Sequence, residues 1–137
     1  MTPEEAVEVI RTQHRAVMAT TRSDGGVQLS PIAVVVDDDG TLVVSSRETA
    51  IKVKNIRRRP YSAVCVFPDS FFGGQWVQAE GPTAVEPMPD ALEGLVRYYR
   101  NLVGEHPNWD EYRAAMESEK RVLVRITVER AGPSKQG

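Results

Sequence analysis

Residues 14–22, 27–36 and 41–46 are apolar or alternating runs separated only by the turn sequences SDGG (23–26) and DDDG (37–40). Connections this short join antiparallel strands, because a parallel pair needs a long crossover. The first half of the chain is therefore predicted to be an antiparallel meander and not a repeating βαβ unit. Strand signals resume at YSAVCVF (61–67), QWVQAEGPTAVEP (75–87) and KRVLVRITVER (120–130). In the last run Val122, Val124, Ile126 and Val128 alternate with Arg121, Arg125 and Thr127, and Leu123 breaks the pattern. Gly81 marks a bulge or bend where a small barrel turns a corner.

A first helix is expected from Pro3 to near Gln13, opened by Thr2 as cap and by Glu4 and Glu5 in its first turn. Two more are expected at 90–103 and 109–118, joined by GEHPN. Six strands with a few helices give a mainly β fold, a small closed or nearly closed barrel. A chain of 137 residues fits one domain, placed here at 1–130 with AGPSKQG (131–137) as a flexible tail.

No run reaches the ~18 apolar residues of a membrane span, and MTPEEAVEVI carries acids where a secretory signal carries bases. The expected location is the cytoplasm. One cysteine, Cys65, excludes an intrachain disulfide, and two histidines argue against a zinc site, so no metal is expected.

Positive charge is concentrated in RETAIKVKNIRRRP (47–60), with six bases and one acid. The whole chain carries −2, so the remaining residues carry −7. Charge this local suits a discrete anion such as a phosphorylated cofactor and not a nucleic acid backbone. A helix entered from a strand presents free amides to such an anion. Ala50, Val53 and Ile56 would pack that helix on the barrel, leaving Lys52 and Lys54 on its flanks and Asn55 partly exposed. Ser45, Ser46 and Thr49 supply hydroxyls that cap its amides or touch the same anion. The competing reading is a solvated helix whose Arg57, Arg58 and Arg59 complement the helix dipole.

No glycine-rich phosphate loop and no G-x-S-x-G motif is present. His14, beside a strand start, reads as structural, and His106 lies in a polar loop. The cluster Phe71, Phe72, Gly73, Gly74 and Trp76 either covers one face of a ring ligand or packs a barrel end. Trp109, Tyr112 and Met116 follow helical spacing and pack their helix, against the barrel or at a subunit contact. The adjacent Tyr98 and Tyr99 admit either role, since one ring of two neighbouring helical residues can face the core while the other faces outward. No catalytic residue is identified. A bound redox cofactor would supply chemistry that the chain lacks, and a cofactor carrier would look the same.

The order GGVQLSPI, TLVVSS, AIKVKNIRRRP, WVQAEG, LVRYYRNLVGEHPNWDEYRAAM and KRVLVRI resembles the split β-barrel flavin and deazaflavin family related to pyridoxamine 5'-phosphate oxidase. It is most similar to the actinobacterial branch that uses coenzyme F420. The resemblance spans about residues 10–126, and KxxNIRRxP together with YRNLVGEHPNWDEYRAAM is its most specific part. It implies an FMN-binding-type split barrel, a homodimer with cofactor grooves between subunits, and F420H2-dependent reduction of small unsaturated compounds. Carried over by position, Lys52 holds the cofactor phosphate, with Ile51, Ser45 and Ser46 beside it and Lys54 and Asn55 supporting the tail or groove. Gln28, Leu29, Ser30 and Pro31 match the strand beside the cofactor ring, and Trp76 matches part of the pocket wall. Thr49 and Ala50 stand where some relatives carry an anion-binding arginine. RITVERAGPSKQG lacks the substrate set of the oxidase branch, which argues against oxidation of pyridoxamine phosphate. An FMN-binding oxidoreductase and a non-catalytic F420-binding protein are the alternatives.

Overall fold

The structure is a computed structural model and describes residues 1–70 and 72–134. Helix α1 (Pro3–Ile10) starts where expected, with the Thr2 hydroxyl accepting the Glu5 N–H at 3.1 Å. It ends earlier than expected. The Thr12 and Gln13 amides turn back to the Val9 and Ile10 carbonyls at 3.3 Å, and the chain enters β1 (Arg15–Thr21).

β1 and β2 (Val27–Ala33) form the first hairpin. The expected strand over 27–36 is in fact two: Val34 still donates its N–H to the His14 carbonyl at 2.8 Å, in register with the β1–β2 ladder, and the next two residues leave β1 for a different partner. β3 (Val35–Val36) then pairs with β4 (Leu42–Arg47). Helix α2 (Ile51–Arg58) follows, then β5 (Tyr61–Val66) and β6 (Val77–Glu86). Helices α3 (Leu92–Leu102) and α4 (Trp109–Ser118) precede β7 (Arg121–Ile126) and β8 (Arg130–Gly132).

The strand order is β2-β1-β5-β6-β7-β4-β3, with β8 on β6. β6 is the corner strand: Val77 to Pro82 pair with β5, and Thr83 to Glu86 pair with β7. Gly81 sits at the switch, where a Cβ would lie 1.8 Å from the Thr127 carbonyl oxygen, so no larger residue fits. The expected strand over 120–130 breaks at 127–129 as the chain passes this corner. β8 then pairs Arg130 with Glu80, Ala131 with Ala79 and Gly132 with Gln78. Ala131 and Gly132 are thus sheet residues and not tail, and the Met1 ammonium donates to the Ser134 hydroxyl at 2.8 Å. Residues 135–137 of the expected tail lie outside the described residues.

Alternation along β7 explains the anomalous Leu123. Val122, Val124 and Ile126 point into the barrel with Ile10, Met18, Leu42, Val44 and Val53. Leu123 points the other way, into a second core with Val35, Val43, Leu95, Val96, Tyr112 and Met116 beneath α3 and α4. Each such side chain contributes about 1.5–3 kcal/mol on burial, so α3 and α4 are bound to the outside of the barrel by packing.

Charge holds α3 as well. Asp37, only 4% exposed, accepts from Arg97 at 2.9 and 3.2 Å and from Arg125 at 2.9 Å. Burial alone would raise its carboxyl pKa, but these two guanidinium groups overcome that and hold it well below the usual carboxylate range. Among the described residues no helix is long and apolar enough to cross a membrane.

Candidate cofactor site

No ladder joins β2 to β4 among the described residues, although the two strands lie close together. This gap is the split in the barrel. β2 is paired along one edge only, to β1, so the backbone of Gln28, Leu29, Ser30 and Pro31 has an open edge facing away from β1. Alternation places their side chains on opposite faces. Gln28 and Ser30 are partly covered, whereas Leu29 is 64% exposed and Pro31 is exposed too. The Ser30 hydroxyl oxygen is buried without a hydrogen-bond partner among the described residues.

Tyr98 on α3 spans the split. Its hydroxyl donates to the Ala33 carbonyl at 2.8 Å, at the end of β2, and the Ser45 backbone N–H on β4 is close enough to the same oxygen to favour its charged form. Burial raises its pKa.

At the same end of the barrel α2 begins with Ala50 as N-cap and no side-chain cap, so its first amides are left without a side-chain acceptor. None of Ser45, Ser46 and Thr49 plays the capping role expected of it. Ser45 and Ser46 also face opposite ways: Ser45 pairs with Leu123 on the α3 side, and Ser46, 4% exposed, points into the barrel with Val122. One anion cannot meet both side chains.

Val53 and Ile56 pack α2 on the barrel with Ala50 beside them, as the spacing predicted. Asn55 does not follow expectation. It is buried and not partly exposed, its amide donating to the Thr20 hydroxyl at 3.1 Å. Thr20 in turn donates to Gln28 at 3.0 Å, and Arg58 donates to the Asn55 oxygen at 2.8 Å. Gln28 and Asn55 are thus linked inside the fold, and Asn55 acts as a tie between α2 and the hairpin. Arg57 is paired with Glu48.

Lys52 and Ile51 remain at the start of α2, Ile51 exposed and Lys52 partly covered, with Lys54 exposed beyond them. Lys52 makes no ion pair among the described residues. Burial lowers its pKa, and the neighbouring charge of Arg121 lowers it further. Arg121 was not anticipated from sequence. Its position near Lys52 depends on the pairing of β7 with β4, which no local signal carries.

Trp76 stands apart from this cluster. It lines a cavity of about 270 Å³ with Gln78, Glu80, Arg130 and Gly132, and no residue of α2 or β4 shares that cavity. Phe72 is almost fully exposed, and Phe71 lies outside the described residues. His14 uses its Nδ1 toward the Val34 carbonyl at 2.9 Å, the structural role expected of it. His106 accepts the Asn108 N–H on Nδ1 at 2.9 Å and packs among Tyr99, Trp109 and Tyr112. No group of three His, Cys, Asp or Glu among the described residues is arranged to hold a metal ion.

The arrangement combines an unpaired cation, free helix amides and an open strand edge with an orphaned hydroxyl. That set fits a cofactor with an anionic tail and a flat polar ring. The architecture is a split β-barrel of the pyridoxamine 5'-phosphate oxidase type. The chain matches that family over residues 2–134 and belongs to it.

Solved structures with the same fold include a conserved hypothetical protein from Mycobacterium tuberculosis, 22% identical, with a TM-score of 0.77 over 100% of this chain and 93% of that one. An F420 reductase is 19% identical, with a TM-score of 0.71 over 95% of this chain and 98% of that one. The heme storage protein HutZ from Vibrio cholerae is 15% identical, with a TM-score of 0.69 over 96% of this chain and 94% of that one.

Proposed function

We propose that this protein is a cytoplasmic F420H2-dependent reductase acting as a homodimer on small unsaturated compounds. The observation that carries the reading is Lys52: a partly covered lysine with no ion pair among the described residues, at an uncapped helix start beside the split. A lysine kept in that state at a cost in solvation is explained by an anion that binds there. Family membership supports a flavin-type cofactor, and the F420 reductase among the similar folds together with the sequence resemblance leads us to F420.

In this reading Lys52 and the amides of Ile51 and Lys52 hold the cofactor phosphate, while Ser45 and Lys54 border its tail. The open edge of β2 at Gln28 to Pro31 gives backbone hydrogen bonds to the ring. Tyr98 fixes the width of the groove by holding Ala33 and Ser45. Bound F420H2 would supply the hydride for an electron-poor double bond. The protein's part is to bind, orient and exclude water.

The second copy is inferred from an apolar sheet face. Val27 and Leu29 are 59% and 64% exposed, and Pro31, Val17, Ala19, Ala63 and Cys65 lie on the same outward side by strand register. A contiguous apolar face beside an anion site suits a partner that covers both. Trp76 would then reach a groove only from the partner's side.

Titration of the purified protein with F420, FMN and hemin, read by ligand fluorescence or the heme absorption band, tests the assignment. Tight binding of F420 followed by acceptor-dependent oxidation of F420H2 is the expected result. Preference for FMN moves the protein to the flavin-binding alternative, F420 binding without turnover to a carrier, and preference for hemin overturns the reductase reading.

A further inference from the structure

Arg47 and Arg121 stand directly opposite each other on the β4–β7 ladder, a register in which like charges repel. One carboxylate oxygen offsets both. Glu119, the residue that ends α4, accepts on Oε1 from Arg47 Nη2 at 3.2 Å, from Arg121 Nε at 3.1 Å and from Arg121 Nη2 at 3.0 Å. Lys52 lies near enough to Arg121 to feel its charge and has no ion pair of its own among the described residues. Two arginines thus share a single carboxylate and Lys52 has none among the described residues, whereas Arg22, Arg57, Arg100 and Arg113 each have an acid to themselves. The cluster retains two uncompensated positive charges beside the uncapped start of α2.

We propose that Glu119 is a displaceable internal anion, holding between Arg47 and Arg121 the place that a phosphate or carboxylate of an incoming polyanionic ligand takes over. Glu119 ends its helix with its side chain about one-third exposed, so it can turn out to solvent without unpacking α4. A phosphate group offers several oxygens to the same fork of donors, and the nearby Lys52 charge favours it further. The site would favour ligands with two or more negative charges, because a single charge only replaces what Glu119 already provides. Only the identity of the natural ligand rests on the F420 reading.

The test is calorimetric titration of the full chain with inorganic pyrophosphate, alongside fluorescence titration with F420 and FMN. Glu119→Gln should bind pyrophosphate roughly three- to tenfold tighter, since no ion pair has to be broken first. Arg121→Gln should bind it more weakly by at least that factor, and Glu119→Asp, too short to meet both arginines, should fall between wild type and Glu119→Gln. A bridge with only a structural role would lower both melting temperature and affinity in Glu119→Gln, so equal or weaker pyrophosphate binding overturns the proposal. If Glu119→Gln does not fold, Glu119→Asp decides by the same sign. Tighter pyrophosphate binding in a protein that binds neither F420 nor FMN would uphold the anion site and sink the cofactor reading. F420 binding by wild type with no change in either variant would do the reverse.

Discussion

The Asn55 amide donates to the Thr20 hydroxyl at 3.1 Å, and through Thr20 it fixes α2 to both strands of the first hairpin. The start of α2 and the open edge of β2 come from different parts of the chain, and this buried contact sets the distance between them. Asn55→Ala leaves the buried Thr20 hydroxyl short of a donor and removes one of two acceptors from the exposed Arg58. It should lower stability by about 1–3 kcal/mol, read as a shift in urea midpoint with unchanged slope. Cofactor affinity should fall as well, although Asn55 touches no ligand in this assignment. Unchanged affinity would mean that α2 and β2 are held in register by something else.

Asp37 provides a second test. Its folded pKa lies below the ordinary 3.8 because Arg97 and Arg125 outweigh the effect of burial. The stabilisation is therefore complete above the unfolded value and is lost as pH falls through the folded one. Asp37→Asn removes the carboxylate and leaves two partly buried guanidinium groups facing each other. A loss of about 2–4 kcal/mol is expected at neutral pH, and the difference from wild type should shrink in strong acid. A constant difference at every pH would show that packing, not charge, accounts for it.

Local chemistry made much of this fold legible. Thr2 and Pro3 fix the start of α1, SDGG and DDDG fix two turns, and the spacing of Trp109, Tyr112 and Met116 fixes α4. Gly81 could be placed at a corner because a strand glycine has few other uses. What could not be read was non-local. The break at Val34 depends on Val35 and Val36 leaving β1 to pair with β4. Asn55 looks like a surface residue until Thr20 is brought beside it. Arg121 enters the site only because β7 pairs with β4 in a register that sets it against Arg47. The opposed faces of Ser45 and Ser46 follow from strand alternation, and that signal lay in the sequence.

The apolar outer face yields a prediction about assembly. Leu29 is the most exposed apolar side chain on β2 and borders the open edge assigned to the cofactor ring. Leu29→Glu adds, in each of the two copies, a charge on the inferred dimer face that the interface would have to bury. Analytical ultracentrifugation should show a dimer for wild type and a monomer for the variant, with circular dichroism unchanged and F420 affinity reduced at least roughly tenfold. A wild-type monomer that binds F420 with full affinity would remove the partner from the site.

Lys52 separates function from stability most sharply. Burial first, and then the charge of Arg121, lower its pKa from 10.5. A lysine whose folded pKa lies below its unfolded one opposes folding while charged. That cost is present below the folded pKa and is relieved as pH rises through it toward the unfolded value. Lys52→Met keeps the side-chain length and removes the charge, so the ligand-free protein should be unchanged or more stable by less than about 1 kcal/mol. Cofactor binding should weaken by about 1.5–3 kcal/mol, the scale of a hydrogen bond to a charged partner. Wild-type affinity should also decline as alkaline pH deprotonates Lys52, earlier than for an ordinary lysine, and this decline should be absent in Lys52→Met. Melting curves and F420 titrations on the same two proteins measure both quantities. If stability falls while affinity holds, Lys52 is a structural residue and the anion is bound elsewhere.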